Sequence, residues 1–411
     1  MWTKILFAFY TVGIHLGNLY IFLGSFFSGK LKLLYEGRKK ALNILSRTSS
    51  LQNPIWIHCA SLGEFEQGRP IIEWYKTKFP NQAILLSFFS PSGYEIRKNY
   101  PMADEIIYLP SDLSTNAASL IEHYRPSMLI LVKYEFWWNT IKCVQDKKIP
   151  IYLVSGIFRA GDYFFKPIFK PFKELLSKFS YIFTQDKISS TILTAHDINN
   201  HISAGDTRID RVIDNTKNIS LPEKIRSFTN NATTFIYGSV WMSDLEVVKN
   251  CIAAFPAFKH IIAPHDVDPK NLKAILSSIS EPSVLYSETS TDAMVLIIDN
   301  IGMLSKLYSI ADYVYIGGGF QKGIHNILEP AVFYLPVFFG PRHQKFNEAV
   351  WLNSKGAAFG VDTVSQIVQH VQDFENSKTQ KEEVRNSLIQ YFDENRGATE
   401  KIVRHLHHLS N

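Results

Sequence analysis

Two carboxylates stand where short apolar runs end. Glu64 closes the turn Ser61-Leu62-Gly63-Glu64 directly after the run Pro54–Ala60, and Glu135 lies in Lys133-Tyr134-Glu135-Phe136-Trp137-Trp138-Asn139 at the end of Met128–Phe136. A carboxylate at a strand end, facing a crevice, is placed to take a proton from a hydroxyl. Glu64 also falls at the start of a stretch that reads as a helix to about Lys78, where the helix dipole alone would favour a negative charge. Glu135 is a charge in an apolar run, which costs free energy unless it is paired or placed in a cleft. Two carboxylates sharing one crevice would perturb each other and so divide acid, base and orienting roles between them.

Further polar groups sit at later strand ends. Arg208, in Gly205-Asp206-Thr207-Arg208, offers a planar fork to a phosphate or carboxylate. Gly317-Gly318-Gly319 follows Tyr313–Ile316 and leads to His325-Asn326-Ile327-Leu328-Glu329-Pro330. Three glycines let a backbone approach a ligand and aim its N–H groups, and a helix beginning near Asn326 would add its positive end to an anion site. Glu329 stands three residues after Asn326, the capping-box spacing, and a carboxylate there can also accept ribose hydroxyls. The nicotinamide-type fingerprint fails, because G-x-G-x-x-G needs glycine where Lys322 stands. The loops Ala263-Pro264-His265-Asp266 and Asp299-Asn300-Ile301-Gly302-Met303 follow two more strands and, with the glycine turn, could surround one nucleotide.

The elements that must position these groups are short β-rich runs alternating with amphipathic stretches. Seven are expected before residue 206: Pro54–Ala60, Ala83–Ser90, Glu105–Pro110, Met128–Phe136, Pro150–Gly156, Tyr181–Gln185 and His201–Gly205. Six follow: Thr233–Val240, Phe258–Pro264, Ser283–Ser287, Ala293–Asp299, Tyr313–Gly319 and Pro336–Gly340. This alternation predicts two doubly wound α/β domains with parallel sheets, in which ligands bind outside the carboxyl ends of the strands. The expected organisation is residues 1–30 as an anchor helix, 31–213 as a first Rossmann-like domain, 214–234 as a polar linker, and 235–411 as a second Rossmann-like domain ending in surface helices. Two such domains facing each other across a cleft would carry donor and acceptor on opposite walls.

With 411 residues and 46% hydrophobic content, the chain has the material for two cores. Its net charge of +5 is too mild and dispersed for a nucleic-acid binder. Cys59, Cys143 and Cys251 lie far apart, with neither metal-ligand spacing nor disulfide pairing. Ile5–Ser28 holds no Asp, Glu, Lys or Arg over about 24 residues, enough to cross a bilayer as a helix, although a helix lying in the interface fits as well. Lys30, Lys32, Arg38, Lys39 and Lys40 follow at once, which places the bulk of the chain in the cytoplasm and offers anionic lipid a basic partner.

Taken in order, these pieces resemble the 3-deoxy-D-manno-octulosonic acid (Kdo) transferases that act on lipid A precursors. The resemblance rests on the apolar N-terminus, Ser61–Glu64 with Arg69-Pro70, Ser90-Pro91-Ser92-Gly93, Tyr108–Asp112, Glu135 with Trp137, Gly205–Asp210, Ala263-Pro264, Gly302, Gly317-Gly318, and His325-Asn326 with Leu328-Glu329-Pro330. It implies a GT-B glycosyltransferase, metal-independent and without a cofactor, that moves Kdo from CMP-Kdo to a lipid A precursor with inversion, at the cytoplasmic face of the inner membrane. Glu64 would be the base, and Glu135 and Arg208 the charge-stabilising residues. CMP would meet Pro264, His265, Ile301, Gly302, Met303 and Asn326 to Glu329. The chain departs from the family pattern at His265, where arginine is usual, at Arg208, where lysine is usual, and at Phe136-Trp137-Trp138, where Leu-Trp-Pro is usual. The rival classes are another nucleotide-sugar transferase or an epimerase on the same fold, and a membrane-tethered nucleotide-binding protein without turnover.

Overall fold

A computed structural model of the chain describes residues 2–47, 51–133, 135–288, 293–321 and 323–410. It divides into two compact units, residues 1–210 with 396–411 and residues 211–395.

The first unit is built on seven strands: β1 (Ile55–Cys59), β2 (Ile84–Phe88), β3 (Glu105–Tyr108), β4 (Met128–Val132), β5 (Ile151–Gly156), β6 (Tyr181–Thr184) and β7 (His201–Ser203). All pairings are parallel, in the order β3-β2-β1-β4-β5-β6-β7. Every residue of β1, β2, β4 and β5 is buried, as expected of strands covered on both faces. Side-chain alternation sends Trp56, Leu85, Leu129 and Leu131 into one apolar cluster and Ile55, Ile57, Leu86 and Ile130 into the other. Helix α1 (Trp2–Gly24) and helix α2 (Gly29–Leu45) precede the sheet, and helix α3 (Leu62–Lys78) follows β1.

The second unit carries β8 (Thr234–Val240), β9 (Lys259–Pro264), β10 (Ser283–Leu285), β11 (Val295–Ile297), β12 (Tyr313–Ile316), β13 (Val337–Phe339) and β14 (Phe359–Gly360). They form a parallel sheet in the order β10-β11-β9-β8-β12-β13-β14. Each expected strand is present, trimmed at its ends, and β14 is added. A two-residue edge strand carries too little periodicity to be read from sequence.

In both sheets the strand order reverses beside the first strand, between β1 and β4 and between β8 and β12. Loops leaving neighbouring strands diverge there, opening the crevice where doubly wound folds bind ligands.

Three expectations about organisation are corrected. The C-terminal helix Ala398–Ser410 belongs to the first unit, where Ile402, Val403 and Leu406 are fully buried in the cluster behind β1. The stretch 214–234 is no bare polar linker. It completes the helix Thr207–Asn215 and then forms the helix Glu223–Thr229, which buries Ile225 and Phe228, the two apolar side chains of an otherwise polar run. The helix expected from near Asn326 is a single turn, Leu328–Ala331, ended by Tyr334 in the left-handed region (φ 60°).

Candidate active site

Glu64 and Glu135 both stand at the switch point of the first sheet, one after β1 and the other after β4. Glu64 opens α3 and accepts a hydrogen bond from the Ser61 N–H at 3.0 Å. The structural role open to a helix-start carboxylate is therefore filled, and the chemical one remains available.

Glu135 is fixed by two donors. Trp137 Nε1–H reaches its Oε2 at 2.7 Å and His58 Nε2 approaches the same oxygen at 3.2 Å. His58 is buried in β1, and its Nδ1 lies 2.8 Å from Ser87 Oγ, which also accepts Trp56 Nε1–H at 2.7 Å. With Ser87 donating to Nδ1 and Nε2–H donating to Glu135, each donor in the chain from Trp56 to Glu135 is used, and we assign that tautomer. Trp137 in turn stacks on Phe89, with ring centroids 4.8 Å apart.

Burial, reinforced by the charge on Glu135, pushes the Glu64 carboxyl up from 4.5 to about 7; Lys133, His58 and the backbone N–H at the Ala60–Ser61 peptide pull the other way without cancelling it. A carboxyl poised near neutral pH suits proton transfer. Cys59, at the end of β1, is fully buried, and burial together with the two carboxylates holds it as a thiol. Lys133 adopts a left-handed conformation (φ 65°) at the end of β4, in the strand-end region where strain and function coincide.

Arg208 opens the helix Thr207–Asn215, and its guanidinium grips Asp206, Nε at 2.9 Å and Nη2 at 2.6 Å from Oδ2. Thr207 Oγ1–H donates to the Gln67 carbonyl at 2.6 Å and ties this helix start to α3.

In the second unit the glycine turn leaves β12 at the second switch point. Gly318 has φ +92°, and a Cβ there would stand 2.5 Å from the Gly323 carbonyl oxygen; one at Gly319 would stand 2.5 Å from the Gly340 nitrogen. Only glycine fits. Asp244, fully buried, organises the turn by accepting from Gly318 N–H at 3.0 Å, Trp241 N–H at 2.9 Å and Tyr315 O–H at 2.9 Å. Above β8, β9 and β12 the rings of Trp241, His265 and His325 stack: Trp241 to His265 at 4.0 Å and His265 to His325 at 4.6 Å. Trp241 Nε1–H donates to His325 Nε2 at 2.9 Å, and burial with the neighbouring His265 pushes His325 down to about 4, so it is a neutral acceptor.

Asn326 Nδ2 donates to Glu329 Oε1 at 3.2 Å, and Asn326 Oδ1 accepts from the Leu328 N–H at 3.2 Å. Burial raises the Glu329 carboxyl, with Asn326 and Arg211 opposing. Ile301 and Gly302 are exposed beyond β11, followed by Met303, and Gly302 has φ +94°. A single turn at Leu328–Ala331 has little dipole, and in the glycine loop the Gly317 N–H already donates to the Gly238 carbonyl at 2.9 Å and the Gly318 N–H to Asp244, so what the glycines offer a ligand is close approach of the backbone. Asp266 and Asp268 have D-x-D spacing, but Asp268 caps the helix Pro269–Ser278 through the Lys270 N–H at 2.9 Å and Asp266 accepts the Asp268 N–H at 3.0 Å.

Sequence reading missed His58, Ser87, Trp241 and Asp244. His58 and Ser87 carried one signal, a polar side chain inside an otherwise apolar strand. A cavity of about 570 Å³ between α1 and the helix Trp138–Asp146 is lined by Thr3, Phe7, Trp138 and Cys143 among others, and by neither carboxylate.

Two parallel-sheet Rossmann-like units define the class, an α/β protein of GT-B type. Solved structures share that fold. A UDP-GlcNAc 2-epimerase from Neisseria meningitidis bound to UDP-GlcNAc aligns with a TM-score of 0.61 at 16% identity, covering 88% of this chain and 100% of that one. Residues 35–211 match the family model described as 3-deoxy-D-manno-octulosonic-acid transferase (kdotransferase). Proteins named 3-deoxy-D-manno-octulosonic acid transferase are 24% identical in Haemophilus influenzae, over 85% of each chain, and 26% identical in Aquifex aeolicus, over 76% of this chain and 84% of that one. A bifunctional glycosyltransferase/methyltransferase of Fusobacterium nucleatum is 28% identical over 85% of this chain, which spans only 56% of that longer protein. The chain is a homologue of the Kdo transferases.

Proposed function

We propose that the chain is an inverting glycosyltransferase that moves Kdo from CMP-Kdo to a lipid A precursor, at the cytoplasmic face of the inner membrane. The observation that carries the mechanism is the carboxylate pair at the first switch point, with Glu64 raised to about 7 and Glu135 locked by His58 and Trp137.

Glu64 takes the proton of the attacking acceptor hydroxyl as its oxygen bonds to the anomeric carbon of Kdo. The bond from that carbon to the CMP phosphate oxygen breaks, and CMP leaves with the electron pair. Glu135 maintains the negative field that keeps Glu64 basic. Arg208, oriented by Asp206, supplies the positive charge of the family's stabilising role. In the second unit CMP is assigned to Pro264, His265, Ile301, Gly302, Met303, the backbone of Gly317, Gly318 and Gly319, and Asn326, Ile327, Leu328 and Glu329. A departing phosphate is stabilised by preorganised charge and dipoles, and a turn of three glycines without side chains lets it approach the backbone closely.

The test is product formation by purified protein given a tetraacylated lipid A precursor and CMP-Kdo generated in place, with the anomeric configuration read by NMR. Inverted Kdo-lipid product is expected. CMP binding without product would refute the transfer reading, and retained configuration would refute a single displacement.

A further inference from the structure

The apolar N-terminal helix has the length of a membrane span, yet its burial pattern is that of a helix lying on a surface. The partly buried positions of α1 recur at Phe7, Tyr10, Ile14, Asn18 and Ile21, a spacing of three and four that marks one face along the whole helix. That face is fastened to the first unit at both ends. Near the start, Phe7 and Tyr10 pack against the cluster behind β4, and Tyr10 O–H donates to the buried Asp112 at 2.6 Å. Toward the end, Ile21 joins the cluster of Leu34, Ala41 and Tyr108, and Asn18 Oδ1 receives Arg38 at 3.5 Å.

A bilayer crossing needs about 20 consecutive residues surrounded by lipid. Here no more than three residues of α1 separate one inward contact position from the next. The opposite face is uncharged and open, with Phe9 71%, Val12 55%, Leu16 61% and Tyr20 66% exposed, and the turn after α1 presents Phe26 and Phe27 at 69% and 90%. Lys30, Lys32, Lys39 and Lys40 on α2 are exposed beside it.

We infer that α1 does not cross the membrane but lies in the plane of a single leaflet, its outer face sunk among acyl chains and the α2 lysines over anionic headgroups. Apolar face and flanking cations together match that surface. The inference rests on the membrane-bound reading above and refines it. It also fixes the height of the catalytic unit. Asp112, which holds Tyr10, accepts from the Asn139 and Thr140 N–H groups at 2.9 and 2.8 Å, so the leaflet-bound helix is tied to the helix that follows Glu135.

The test uses the full chain with the half-exposed Cys143 replaced by serine and one new thiol, Thr3→Cys or Lys39→Cys. A membrane-impermeant maleimide is applied to right-side-out and to inside-out inner-membrane vesicles, with detergent-solubilised protein giving the full reactivity of each thiol. Both thiols are expected to react in inside-out vesicles and neither in right-side-out ones. Labelling of Thr3→Cys in right-side-out vesicles, with Lys39→Cys protected there, would overturn the inference and establish a span. A chain that does not sediment with either vesicle would defeat the membrane-bound reading itself, while the transfer assay on purified protein tests the transferase reading separately.

Discussion

Glu64 joins three facts that usually occur apart: a helix-capping position, a like-charged neighbour and a pKa near neutrality. Because the ionised form is the base, kcat/KM should rise with unit slope as pH approaches about 7 and level off above it. Glu135→Gln removes the charge that helps hold the carboxyl up, so any residual activity of that variant should show its acid limb at lower pH. An unmoved limb would mean that Glu135 does not face Glu64. The same shift sets a stability expectation. The folded state binds the Glu64 proton more tightly than the unfolded chain does, so stability is lost as pH rises from about 4.5 to about 7, by a total of about 3 kcal/mol. Glutamine stays neutral and keeps the capping-box chemistry. Glu64→Gln should therefore melt at a higher temperature than wild type at pH 8 and at the same temperature at or below pH 4, by scanning calorimetry. The two carboxylates were legible in the sequence because each interrupts or ends an apolar run. Their support was not, since His58 meets Ser87 only through the register of β1 on β2, where the two are direct neighbours.

Among the elements, the loops carry the tightest constraints. At Gly318 a methyl group would meet both an unfavourable φ and the Gly323 carbonyl. Gly318→Ala should weaken CMP binding by titration calorimetry while the first unit keeps its melting transition; unchanged affinity would remove the turn from the nucleotide site. Asp112 accepts from two backbone N–H groups and two hydroxyls, those of Thr140 and Tyr10. Asp112→Ala leaves those donors unpaired and should cost about 3 kcal/mol in the unfolding of the first unit. The glycine turn announced itself in composition. The one-turn helix after it did not, because a capping-box spacing is equally compatible with a long helix and with a single turn, and the closure at Tyr334 depends on tertiary packing.

For the molecule as a whole, alternation of β-rich and amphipathic runs was enough to predict two parallel sheets, because strands covered on both faces read as continuous apolar segments. What local pattern could not say was where a distant segment packs. The helix Ala398–Ser410 returns to the first unit, placing Ile402, Val403 and Leu406 behind β1, while the Gly397 and Thr399 N–H groups at its start donate to the Asp210 carboxylate. Ending the chain at residue 396 should lower the melting transition of the first unit and leave that of the second in place. The opposite result would assign the helix to the second unit. The central claim, that Glu64 is the base of a Kdo transfer, is tested most directly by Glu64→Gln assayed for CMP-Kdo binding and for Kdo transfer to the lipid acceptor side by side. The expected result is unchanged binding with transfer reduced by about 10²- to 10⁴-fold, the usual contribution of a positioned base. Transfer at the wild-type rate by this variant would contradict the account.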